Sequence, residues 1–268
     1  MSGNQITVPS ILKKKENGEK ISVLTAYDFS FAKLIDQSEI DIILVGDSLG
    51  MVVQGRENTL SVTMDEMIYH TRMVSRATRR TLVVGDMPFM SYQCSLEETL
   101  RNAGRFLKEG GAAAVKLEGG TPVSERIAAL TRIGIPVMAH IGLTPQSVHS
   151  MGGYKVQGRQ VRQAKQLLKD AKALESAGAF SVVLEGIPNP LAKEITATIK
   201  IPTIGIGAGP DCDGQVLVLH DLLGLSIQDH PKFVRQYADL GALAVKAFKA
   251  FKSDVETGKF PTKEEGYP

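Results

Sequence analysis

Thr81-Leu-Val-Val-Gly-Asp-Met-Pro88 is a short apolar, β-branched run that ends on an ionisable group, Asp86. Short runs of this kind between turn signals read as buried strands. The pattern repeats on both sides. Upstream, Ile40–Ser48 ends on Asp47 and Ile21–Asp28 on Asp28; downstream, Ala112–Gly119 carries Glu118, Ile135–Gly142 carries His140 and Phe180–Gly186 carries Glu185. Ile201–Gly207 and Gln215–Asp221 bring the number of runs to eight. Segments of helical period separate them, the signature of βα units on a parallel sheet. Eight such units predict an α/β fold, a closed (β/α)8 TIM barrel. There the carboxyl ends of all strands converge on one face, so acids far apart in sequence meet at one pocket. The 268 residues fit a single barrel domain over 1–268, with a short N-terminal extension and a C-terminal helix and tail.

Helix signals fall between the strands. Thr63 precedes a predicted helix over Met64–Arg79 and Ser95 one over Leu96–Glu109, each hydroxyl placed to cap free backbone amides. Glu98, three residues after Ser95, suits a capping box. Gly110, Gly134 and Gly178 stand where helices should give way to strands through left-handed backbone angles. Gly142–Arg162 departs from the rhythm as a long segment suited to cover the barrel mouth, and Gly205–Gly214 as a turn too short for a full helix. From about Pro231 to Lys259, Phe233, Tyr237, Leu240, Leu243, Phe248 and Phe251 recur at helical spacing. That predicts a last barrel helix packed on the core, an exposed apolar side being the mark of subunit contacts instead. Gly258–Pro268 reads as a polar arm.

Composition narrows the function. Hydrophobic residues make up 43% of the chain and charged residues 22%, so a large core can form. The 31 basic and 29 acidic residues are dispersed, leaving no basic face for nucleic acid. No apolar segment approaches the roughly 20 residues of a membrane span, and the polar start carries no leader, which predicts a cytoplasmic protein. Cys94 and Cys212 form no CxxC pair, so neither a disulfide framework nor a thiolate zinc site is expected. His149, His220 and His230 are not at metal-ligand spacing.

The strand-end acids carry the chemistry. Asp47, Asp86 and Glu118, on three successive strands, are an oxygen-only set of the kind that holds Mg²⁺ or another hard divalent cation together with waters and substrate oxygens. Each could instead cap the next helix. Lys116, two residues before Glu118, points to the same side of its strand. It could neutralise an enolate, form a Schiff base or make a structural ion pair, and the crowd of acids argues against the Schiff base. Glu185 is a candidate general base, because an apolar pocket raises a carboxyl pKa toward neutrality. His140 is a candidate supporting residue, or a packed core histidine. Gly205-Ile-Gly-Ala-Gly-Pro210 lacks the endings of known phosphate-binding loops and reads as a tight barrel turn.

With these residues placed, the chain resembles the ketopantoate hydroxymethyltransferase family. The resemblance is carried by Leu24-Thr-Ala-Tyr-Asp28, Val45-Gly-Asp-Ser-Leu-Gly-Met51, Gly85-Asp-Met-Pro-Phe89 and Val115-Lys-Leu-Glu-Gly-Gly120. It continues in His140-Ile-Gly-Leu-Thr-Pro-Gln146, Gly152-Gly-Tyr-Lys-Val-Gln-Gly158, Leu184-Glu-Gly-Ile-Pro188, Gly205-Ile-Gly-Ala-Gly-Pro210 and Asp213-Gly-Gln215. It implies a barrel of the phosphoenolpyruvate/pyruvate type and Mg²⁺ on Asp47, Asp86 and Glu118. It also implies substrate contacts from Asp47, Ser48, Asp86 and Lys116, and Glu185 as proton acceptor. The implied reaction moves a hydroxymethyl group from the co-substrate 5,10-methylenetetrahydrofolate to 3-methyl-2-oxobutanoate, giving 2-dehydropantoate in pantothenate and coenzyme A biosynthesis. The implied assembly is a ring-type homo-oligomer, a decamer. The enzyme rival is a Mg²⁺-dependent α-keto acid lyase or mutase on the same barrel. Those lyases use a cysteine in a KKCGH-like loop, which this chain lacks. A non-catalytic barrel would predict an incomplete acid set.

Overall fold

The computed structural model describes residues 5–226 and 231–268, so His230 lies outside the described residues. The chain divides into two compact units, residues 1–218 and 219–268. In the first unit, β1 (Ile21–Thr25), β2 (Ile42–Val45), β3 (Leu82–Asp86), β4 (Ala114–Glu118), β5 (Val137–Gly142), β6 (Ser181–Glu185), β7 (Thr203–Ile206) and β8 (Gly214–Leu217) close in sequence order. Every pairing is parallel, including β1 with β8, so the predicted barrel is the barrel observed. The helices are α1 (Val8–Glu16), α2 (Phe29–Gln37), α3 (Leu49–Val52), α4 (Met64–Ala77), α5 (Leu96–Lys108), α6 (Ser124–Arg132), α7 (Val148–Met151), α8 (Val161–Ser176) and α9 (Asn189–Thr198). The second unit holds α10 (Leu219–Leu222) and α11 (Leu240–Glu256).

Alternate strand residues point to one face, and here the inward rows are apolar in their lower part. Ile21 and Val23, Ile42 and Leu44, Leu82 and Val84, Ala114, Met138, Val183, Ile204 and Val216 form one buried cluster. Carried one step further along the strands, the same rows deliver Asp86, Lys116 with Glu118, His140 and Glu185. The polar site is therefore the upper layer of the barrel interior, built on an apolar floor.

The floor is closed from below by α1, which the sequence reading left as a polar extension. Its start is set by Thr7 and Ser10, which cap each other's amides, with Pro9 in the first turn. Ile11 is fully buried in the interior cluster, with Ile6 and Val8 packed beside it; burying one such side chain stabilises by about 2 kcal/mol. Lys14 pairs with Asp41 at 2.6 Å and Lys15 with Asp213 at 2.8 Å, tying the helix to the entries of β2 and β8.

Local expectations are met with shifts. Ser95 caps α5 by accepting from the Glu98 amide at 3.1 Å, but the capping box belongs to Thr63 and Glu66 at the start of α4, where Glu66 also accepts from the Thr63 amide at 2.7 Å. The left-handed residue after α5 is Gly111, not Gly110; Gly134 and Gly178 behave as expected. At Gly85 a Cβ would collide with the Phe106 ring, so only glycine lets α5 lie this close to β3 beside Asp86. The turn over Gly205–Gly214 holds no helix.

In the second unit the predicted helix from Pro231 begins instead at Leu240. Asp239 caps it by accepting from the Ala242 amide at 3.1 Å, while Tyr237 and Leu240 donate backbone bonds to Leu222 and Leu223. No residue of α11 is buried, and Leu243, Phe248 and Phe251 are exposed. Gly258–Pro268 is exposed throughout, as a polar arm would be. Among the described residues no helix is long and apolar enough to cross a membrane.

Candidate active site

Register places the charged residues side by side. Asp86 stands opposite Lys116, Glu118 opposite His140, and Gly142 opposite Glu185. The Lys116 Nζ donates to both oxygens of Asp86 at 2.8 Å and lies 3.4 Å from Glu118 Oε1. Asp47, in the turn after β2, joins them, its amide directed at Asp86 Oδ2 at 3.5 Å. Ser48 Oγ meets the buried Tyr27 hydroxyl at 2.9 Å. All the predicted site residues thus meet around one mouth. Asp28 does not join them: it accepts from the Phe31 amide at 2.9 Å and caps α2, the bland alternative for a strand-end acid.

One ammonium faces three buried carboxylates here, and the imbalance shapes their protonation. Burial drives Asp86 up from the usual carboxylate range, with Asp47 adding to the push and Lys116 opposing it. Glu118 is raised in the same way. For Lys116 burial acts downward, but Asp86, Glu118 and Asp47 more than offset it and the ammonium is held well above its ordinary value. A lysine so held pairs with the acids around it, which argues against a Schiff-base role.

His140 sits between two acids, with Nδ1 3.5 Å from Glu118 Oε1 and Nε2 3.3 Å from Glu185 Oε2. Neither ring nitrogen is aligned for a hydrogen bond to these carboxylates. Burial and then Lys116 push the imidazole down to about 4, so it is neutral at physiological pH. Glu185, at the end of β6, is pushed up to about 8, by burial first and by Asp47 in addition. Tyr154, half-exposed above the mouth, has its hydroxyl 3.6 Å from Met51 Sδ. Burial and the charges of Glu185, Asp47 and Glu118 hold its phenol up.

Sequence reasoning missed two residues that organise this site. Gln146 lies 5% exposed in a single 3₁₀ turn, Pro145–Ser147, after β5, and Tyr92 is 1% exposed in the segment after β3. Gln146 bonds Asp47 Oδ2 through its side chain at 2.9 Å and Glu118 Oε2 through its backbone amide at 3.1 Å. Neither residue is ionisable near neutrality, so a search for strand-end charges passes over them. The available signal was the position of Gln146 in a segment already singled out, His140–Gln146.

The donor set can be tested for a divalent cation. Among the described residues no three His, Cys, Asp or Glu side chains converge as a ready-made cage. Mg²⁺ needs less: one or two carboxylates, with waters and substrate oxygens completing its shell. Adjacent Asp47 and Asp86, in a pocket with surplus buried negative charge, fit that requirement by oxygen chemistry and by charge.

Comparison with known proteins supplies the family. The sequence model described as ketopantoate hydroxymethyltransferase matches residues 5–263. Relatives named 3-methyl-2-oxobutanoate hydroxymethyltransferase include that of Pelobacter propionicus, 59% identical over 98% of this chain and 97% of its own length. That of Geobacter metallireducens is 59% identical over 97% of each. Among solved structures, 2,3-dimethylmalate lyase, a PEP mutase/isocitrate lyase superfamily member, aligns with a TM-score of 0.61 at 20% identity, covering 97% of this chain and 91% of its own. Phosphoenolpyruvate phosphomutase from Streptomyces platensis aligns at 0.62 and 16%, covering 98% and 92%. At such identities the likeness shows the fold alone, a closed (β/α)8 barrel.

Proposed function

The chain belongs to the ketopantoate hydroxymethyltransferase family and is a hydroxymethyltransferase, and from that premise we propose how its residues divide the reaction. The acceptor is 3-methyl-2-oxobutanoate and the one-carbon donor 5,10-methylenetetrahydrofolate. Asp47 and Asp86 hold a divalent cation, Mg²⁺ in the first instance, and Glu118 contributes to the negative charge that it balances. When bound, the cation supplies Lewis acidity toward the carboxylate and keto oxygens of the substrate. Ser48, Asp47, Asp86 and Lys116 contact the oxo acid. Glu185 takes the C3 proton, and the Lys116 ammonium stabilises the negative charge that develops on the keto oxygen. The resulting enolate carbon attacks the one-carbon unit. Water then replaces the remaining bond from the transferred carbon to folate nitrogen, so the carbon becomes the hydroxymethyl group of 2-dehydropantoate and tetrahydrofolate is released with the proton on its nitrogen.

The observation that carries this reading is the placement of Glu185: a largely buried carboxyl at the end of β6, 3.3 Å from His140 Nε2 and raised by burial, beside a cluster in which the Lys116 ammonium is already paired with Asp86. A base matched to a weakly acidic C–H and an adjacent cation are the two things enolisation requires. The test is exchange of the C3 hydrogen in deuterated water with Mg²⁺ and no folate, followed by product formation once 5,10-methylenetetrahydrofolate is added. Exchange without subsequent transfer would favour an α-keto acid lyase; no exchange would remove the enolisation reading. The ring-type homo-oligomer belongs to this proposal too, supported by the exposed apolar residues of α11 and testable by sedimentation.

A further inference from the structure

Gln146 reaches every acid of the cation cluster except Asp86, and both polar atoms of its carboxamide are engaged. Nε2 donates to Asp47 Oδ2 at 2.9 Å and to the Met87 carbonyl at 2.9 Å. Both partners can only accept, so the carboxamide has one orientation, with its NH₂ toward Asp47. Oε1 is then left to accept from the Tyr92 hydroxyl at 2.7 Å and from Gln93 Nε2 at 3.3 Å. The Tyr92 hydroxyl in turn accepts from the Glu118 amide at 3.1 Å, and the Gln146 amide returns to Glu118 Oε2 at 3.1 Å. The circuit links the ends of β2, β3, β4 and β5.

We infer that Gln146, locked by Tyr92, is the positioning residue for the Asp47 and Glu118 carboxylates. It occupies Oδ2 of Asp47 and Oε2 of Glu118, which fixes the direction of each carboxylate and keeps Glu118 Oε1 toward Lys116 at 3.4 Å and His140 at 3.5 Å. A neutral donor does this without cancelling charge. Lys116 already neutralises one acid, and a second cationic side chain here would compete with a divalent ion for the carboxylates. Outer-sphere hydrogen bonds of this kind typically change metal affinity or activity 10–100-fold. The inference rests on the functional reading above.

The experiment compares wild type, Gln146→Met and Tyr92→Phe by calorimetry with Mg²⁺, by KM and kcat for 3-methyl-2-oxobutanoate, and by C3 hydrogen exchange. Gln146→Met keeps volume and the backbone bond to Glu118 but removes the donor to Asp47. Mg²⁺ affinity should fall about tenfold and KM rise by a similar factor, with exchange at saturation changing less than about threefold. Tyr92→Phe, a smaller change should Gln146→Met fold poorly, should move the same constants the same way by about threefold. Combined with Asp47→Asn, Gln146→Met should add little further loss of Mg²⁺ affinity, because the two act through one contact. Unchanged Mg²⁺ affinity and KM in folded variants, or losses that simply add with Asp47→Asn, would overturn the positioning role while leaving wild-type exchange intact. Absence of exchange in the wild type would instead bring down the functional reading and this inference with it.

Discussion

Both ends of the barrel bury carboxylates, and they treat them in opposite ways. At the lower end, Asp36 accepts from the amides of Thr81, Arg80 and Arg79 at 2.9, 3.0 and 3.1 Å. Burial pushes its pKa up, but those amides more than offset it and hold the carboxyl below its usual range. Asp41 takes Lys14 and the Ser22 amide, and Asp213 takes Lys15 and the Thr203 amide. At the upper end Asp86, Glu118 and Glu185 share one lysine, and all three are pushed up. The same side chain is held ionised when donors surround it and is pushed toward its neutral form when acids do. Stability is invested below and chemistry above.

The largest effect expected from breaking this contrast is at Glu185. Glu185→Gln should slow C3 hydrogen exchange by about 10³-fold, a typical contribution of a positioned general base, while thermal stability holds or rises. A variant that lost stability in step with rate would erase the division between the two ends. The mirror experiment is Asp36→Ala, which leaves three backbone N–H groups without their acceptor and should cost about 3 kcal/mol of stability in urea unfolding. The folded fraction should keep wild-type kinetics; a changed KM would mean that the lower end reaches the site.

The pH responses should sharpen the contrast, because the signs differ. As the proposed base Glu185 must be ionised, so exchange should climb about tenfold per pH unit toward 8 and level off above it. In stability terms its raised pKa helps the folded state below the ordinary value of 4.5, and that help is lost as pH rises through about 8. Asp36 runs the other way: its contribution is present above 3.8 and is lost as pH falls through its lowered value. Glu185→Gln should therefore flatten the decline in melting temperature between about pH 4.5 and 8 and leave the loss below 3.8 unchanged. The smallest effect is at Lys14→Ala, which removes a partly exposed ion pair with Asp41 and should cost about 1 kcal/mol with no effect on exchange.

What the sequence revealed and what it concealed follow from periodicity and charge. All eight strands were legible because strands buried on both faces are continuous apolar runs, and the acids were legible because each interrupts the end of such a run. Lys116 with Glu118 followed from the period of two. Gln146 and Tyr92 stayed hidden because their importance lies in hydrogen bonds between distant turns, which leave no periodic trace. The stopper helix was hidden for another reason: its buried contribution is chiefly Ile11, too little to mark an amphipathic pattern among three consecutive lysines. The late start of α11 reflects Asp239, whose cap at Ala242 outweighs the apolar spacing upstream.

The tether from Lys15 to Asp213 spans 198 positions, and β1 likewise finds one of its neighbours only in β8. During translation the first helix therefore leaves the ribosome long before its final anchors exist. Closing so large a loop costs entropy that no nearby contact returns, which places docking of the stopper with ring closure at the end of folding. Until then the lower opening and the unpaired edge of β1 stay exposed. Nascent chains halted before about residue 217 should accordingly be the ones most in need of a chaperone.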